Sequence, residues 1–125
     1  LKRDFIMVLI EELGKAIARL TENRNEHNPD RNPELVESIY RSLNLDRASL
    51  TETDPEALRA RLDGDDGAGL VRMELAAKTL LEESYLLAPE AGQAARVRAK
   101  ALLAYVQAND TTFSLERMAL LNDPE

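Results

Sequence analysis

The chain is 125 residues long, has no cysteine, and carries 16 Lys plus Arg against 23 Asp plus Glu, a formal charge of −7. That length fits one domain with a single core; the missing cysteines exclude a disulfide framework and a thiolate site, and the acidity argues against nucleic acid as a partner. With aromatics at only 4% and abundant alanine and leucine, the composition predicts an all-α fold.

A first helix is expected from about Arg3 to Asn23, with Phe5, Leu9, Leu13, Ala16, Ile17 and Leu20 at helical spacing. Its opening differs from its second half, because Phe5 to Ile10 is a run of six apolar residues that covers the whole circumference of nearly two turns. That run is too short for a signal core or a membrane span, and Glu11 and Glu12 end it, so a cytoplasmic protein is expected. The chain opens on Leu1 and not on Met, which leaves room for native residues before it. Met7 and Val8 lie off the stripe made by Phe5, Leu9 and Leu13. They are therefore expected to meet a second subunit or a partner helix, unless a later helix wraps over that end.

Residues 24–32 hold no apolar residue and read as an exposed linker between this helix and a helical body over 33–125. Asn32, Pro33 and Glu34 then form a start signal, with Asn32 as N-cap, for a helix whose inner face is Leu35, Val36, Ile39, Tyr40 and Leu43. Asp46 is placed to cap a short turn between Leu45 and Leu50, and Thr53 or Asp54 to cap the next helix, which ends near Asp63. Residues 33–67 carry four arginines against nine carboxylates, so the acidity is concentrated there, whereas residues 1–32 balance six against six. After the turn 63–69 a helix is expected from about Leu70 to Ala88, on the stripe Leu70, Met73, Ala77, Leu80, Leu81 and Ser84. A fifth follows from about Ala91 to Ala108 with Ala94, Val97, Ala101, Ala104, Tyr105 and Ala108 inward. Ser114 is the expected cap of a short last helix, with Phe113 and Met118 as its staple.

Ala77, Leu81, Ser84 and Pro89 fall at the spacing of the second helix of a tetratricopeptide repeat, and this stretch resembles one, with leucine in place of the usual aromatic. The first helix of such a repeat has no counterpart, since the DGDDGAG turn stands where it would lie. The opening DFIMVLIEELGKAIARL together with a C-terminal helical hairpin is also similar to a group of small uncharacterised bacterial all-helical proteins. These resemblances imply a long N-terminal helix followed by antiparallel hairpins and, by analogy of fold, a protein- or peptide-binding groove in the C-terminal half.

No motif announces chemistry. His27 beside Glu26 and Asp30 reads as a solvated loop histidine, and no metal or other cofactor is expected. Asp63, Asp65 and Glu74 match positions 1, 3 and 12 of a calcium loop, but Ala68 stands where that loop needs glycine. Arg96, Arg98 and Lys100 form a basic run in which Arg96 and Lys100 share a face, open to a partner's acidic segment or to the acidic middle of this chain. Tyr40, Tyr85 and Tyr105 read as core or rim residues. The resulting expectation is a non-catalytic interaction or assembly module, a homodimer being the simplest closed form, with Met7, Val8, Arg96 and Lys100 as its contact residues. The alternative is a small-molecule binder or enzyme built on carboxylates and arginines.

Overall fold

A computed structural model describes residues 2–112 and 114–123, with side chains from Phe5 onward. Helices α1 (Lys2–Asn25), α2 (Asn32–Ser42), α3 (Arg47–Glu52), α4 (Pro55–Asp63), α5 (Gly69–Glu83), α6 (Pro89–Asn109) and α7 (Leu115–Asn122) follow one another, with no strand among the described residues. The protein is all-α.

Local chemistry sets most of the boundaries. Asp46 accepts from the Ser49 amide at 2.7 Å to start α3, Asp54 from the Glu56 amide at 3.2 Å with Pro55 in the first turn of α4, and Ser114 from the Arg117 amide at 3.2 Å to start α7. Phe113, the expected staple partner of Met118, lies outside the described residues. α1 ends on His27, which is exposed at φ +58° in the left-handed position. Its N–H donates to the Arg24 carbonyl at 3.1 Å, and that of Asn28 to Asn23 at 2.8 Å.

Asn32 is not the cap of α2. Its side chain is buried, donating to the Leu20 carbonyl at 3.2 Å and accepting from Asn23 at 2.9 Å, so it ties α2 to α1. A buried amide is better satisfied by these two partners than by a helix start open to water.

α5 is the centre of the molecule. Met73, Ala76, Ala77, Thr79 and Leu80 are fully buried, and Leu81 and Ser84 are buried beside them. α1, α2, α4 and α6 all pack on it. The helix stops at Glu83, earlier than expected, and a 3-10 turn over Ser84–Leu86 leads into α6. The reversal is tight because Gly92 lets α6 approach: a Cβ there would stand 2.6 Å from the Ser84 carbonyl oxygen. Gly92→Ala should therefore lower stability by about 1–3 kcal/mol in chemical denaturation. Gly14, inside α1 with open space around it, should gain up to about 1 kcal/mol on change to alanine.

The buried face of α6 is Ala95, Ala99, Leu102, Leu103 and Val106, one helical position away from the expected one. Ala94, Ala101, Ala104 and Ala108 are exposed, Val97 is 60% exposed, and Tyr105 is half-buried. Two leucines and a valine outweigh alanines in transfer free energy, and they fix the rotation of the helix.

Candidate interaction surface

α1 has 24 residues and spans about 36 Å. Leu13 and Leu20 are buried in the common core against α2 and α5, and Leu9, Ala16 and Ile17 are partly covered. Ahead of Leu9 the described side chains are exposed apart from Ile6, which is half-buried. Phe5, Met7 and Val8 are 65%, 61% and 53% exposed, and Ile10 is at the edge of exposure. The stripe expected for this helix thus reaches the core only from Leu9 onward. Among the described residues no later helix covers Met7 or Val8.

The arginines and carboxylates do come together, mostly in pairs that join helices. Glu82 accepts from Arg24 Nε at 2.8 Å, Arg24 Nη2 at 3.1 Å and Thr21 Oγ1 at 2.8 Å, tying α5 to α1. Its neighbour Glu83 faces α2 and α3, accepting from Tyr40 Oη at 2.8 Å and from Arg47. Burial, reinforced by the charge of Glu83, pushes the Tyr40 hydroxyl well above its ordinary value. It is a fixed donor and no acid at neutral pH. Glu74 meets Arg117 and Lys78, and Asp66 pairs with Arg72, whose guanidinium holds its carboxyl well below the usual carboxylate range.

Two of the three calcium-like positions are engaged within the chain: Asp63 Oδ1 accepts from the Gly69 amide at 3.0 Å, and Glu74 is turned to α7, while Asp65 is exposed. Among the described residues no group of three or more His, Asp or Glu side chains is placed to hold a metal ion, and no helix is long and apolar enough to cross a membrane.

The basic run on α6 divides. Arg98 donates through Nε and Nη2 to the Leu50 carbonyl at 3.0 and 2.9 Å, and also to that of Thr53, neutralising the C-terminal end of α3. Arg96 Nη1 donates to Ser84 Oγ at 3.2 Å, its guanidinium 5.1 Å from the centre of the Tyr85 ring. Lys100 donates to the backbone carbonyl of Asp123. Arg24 lies over the same Tyr85 ring at 4.3 Å. The Glu82–Glu83 pair was legible only as two acids inside the apolar run LLEESYLL, where a buried helix leaves no solvated side for them.

The larger clefts are open and of mixed character. One of about 510 Å³ is lined by Tyr40, Arg47, Glu37 and Arg41 among others, one of about 480 Å³ by Arg19, Asn23, Arg31 and Glu34 among others, and a smaller one of about 290 Å³ by Arg24, His27, Glu82 and Tyr85 among others. No protein-family model matches the chain, and no curated protein or solved structure matches it at a significant level.

Proposed function

We propose that this chain is a non-catalytic helical interaction and assembly module whose contact surface is the exposed start of α1, and that the partner is a second copy of itself. The observation that carries this reading is the exposure of Phe5, Met7 and Val8 in the early turns of α1, where among residues 5–8 only Ile6 is half-buried. Water is a poor environment for such a cluster, and association removes it. Charge favours a copy over a charged partner. Residues 1–32 balance six basic against six acidic groups, so this segment meets its own copy without net repulsion, whereas the acidic stretch 33–67 would repel its counterpart. A symmetric pair is the simplest closed arrangement. The α5–α6 hairpin, with its tetratricopeptide-like residues Ala77, Leu81 and Ser84 buried and Pro89 opening α6, is then the scaffold that carries α1.

The arginine–carboxylate clusters support this reading over an enzymatic one, since each closes on partners in the chain, three of them joining two helices and the Arg72–Asp66 pair tying α5 to the turn before it. Sedimentation across micromolar concentrations should show a monomer–dimer equilibrium for the wild-type chain and a monomer for the double change Met7→Glu and Val8→Glu, with unaltered helix content. A wild-type chain that stays monomeric throughout, or a double variant that associates as before, would remove α1 as the contact surface.

A further inference from the structure

Of the eight residues of α7 only Arg117 is buried, so the helix is anchored by a charge and not by an apolar stripe. Leu115 is 78% exposed, and Leu120 and Leu121 are only half-buried where they pack on the core. A helix this short is not stable alone in water, and its structure depends on docking. α7 packs on α6, and its first turn reaches α5 through Glu116 on Lys78 and Arg117 on Glu74.

The receptor for Arg117 is held in shape by groups outside α7. Asp110 Oδ1 accepts from the Thr112 amide at 3.1 Å and from its hydroxyl at 2.9 Å, which leaves Oδ2 for the guanidinium. The same two hydrogen bonds, with Arg117 adding, hold the Asp110 carboxyl below its ordinary value. Glu74 Oε2 accepts from Lys78, one turn along α5, at 3.1 Å, which leaves Oε1. Gln107 Oε1 on α6 accepts from Arg117 Nε. A carboxylate with one oxygen anchored and the other presented is a preorganised acceptor, and two of them set around one planar fork of donors select arginine over lysine.

We propose that the face of α5 and α6 beneath α7, centred on Glu74, Gln107 and Asp110, is a docking site for a short amphipathic helix that carries an arginine, and that α7 is the displaceable clasp occupying it in cis. The partner's chemistry is read from α7 itself: an arginine followed by leucines three and four residues on, which share one side of a helix. Tethering gives α7 an effective concentration on the order of millimolar, so a helix in trans docks only when α7 is weakened or outcompeted. None of these residues belongs to the contact at the start of α1, so either surface can fail without the other.

The full chain is titrated against a fluorescein-labelled peptide, SLERMALLN, copied from residues 114–122. By fluorescence anisotropy the peptide should bind the Arg117→Met chain at least about a hundredfold more tightly than wild type, the clasp having lost its anchor. A peptide with methionine in place of its arginine should bind that variant at least about tenfold more weakly, and adding Glu74→Gln to the chain should weaken the arginine peptide to a similar extent. In the wild-type chain, which needs no substitution, amide exchange in low urea should show the α7 amides opening together at least about tenfold more often than those of α5. No saturable binding to an Arg117→Met chain that keeps its helix content would overturn the docking site. Equal affinity for the two peptides would overturn arginine as the recognised group, and equal affinity of wild type and variant would overturn α7 as the occupant. Should Arg117→Met not fold, the wild-type exchange decides: α7 amides that exchange only with global unfolding would overturn the clasp.

Discussion

Arg117→Met should lower the free energy of unfolding by about 3–5 kcal/mol, the range for removing one partner of a buried ion pair. Arg117 is only 3% exposed, and its donors are matched one by one: Nε to Gln107 at 2.9 Å, Nη1 to Glu74 at 2.8 Å, and Nη2 to Asp110 at 2.8 Å and the Thr112 carbonyl at 3.0 Å. One side chain thus joins α7 to α5 and to the end of α6. Methionine fills much of the volume but takes from Asp110 the guanidinium it pairs with and leaves Glu74 with Lys78 alone. The loss should be read by urea unfolding together with amide exchange. The account expects the amides of α7 to lose protection first, since few other contacts hold that helix. Exchanging Glu74 for glutamine as well should then cost less than the sum of the two single changes, because the two groups share one interaction. A stability within 1 kcal/mol of wild type would mean that Arg117 is solvated and not the tie described.

Leu81→Ala should lower stability by about 2–5 kcal/mol. Leu81 is buried on α5 beside Leu80 and Ala77, in the same core cluster as Leu102, Leu103 and Val106 of α6. Truncation removes three carbons from a site walled by two helices that the Gly92 contact keeps in place, so little collapse into the cavity is available. The midpoint in urea should fall with the slope unchanged. An unaltered midpoint would take Leu81 out of the core, and the tetratricopeptide-like stripe with it.

The caps were legible in the sequence because capping is local: Asp46, Asp54 and Ser114 each bond to an amide two or three residues on, and no distant group competes for them. Asn32 carried the same signal and went elsewhere, drawn into a buried contact with Leu20 and Asn23 that only the packing of α1 on α2 creates. The rotation of α6 was hidden for a related reason. Alanine lines both sides of that helix, so periodicity offers two stripes. The choice falls to Leu102, Leu103 and Val106, whose burial matters more than that of any alanine. Glu82 and Glu83 are the least legible residues of all. Their partners Arg24, Thr21, Tyr40 and Arg47 lie 36 to 61 residues away, and nothing in a local window links them. For α1 the sequence marked Met7 and Val8 as lying off the stripe, and both are exposed, whereas Phe5, expected on the stripe with Leu9 and Leu13, is exposed as well, because the core it would face begins only at Leu9.

The chain contains no cysteine, so a single introduced thiol reports on proximity without background. Val8 and Val97 are similarly exposed, at 53% and 60%, but only Val8 lies on the proposed contact. Treated with a short bismaleimide at micromolar concentration, the Val8→Cys chain should convert to a covalent dimer while the Val97→Cys chain stays largely monomeric. Equal conversion of the two, or none at position 8, would contradict self-association through the start of α1.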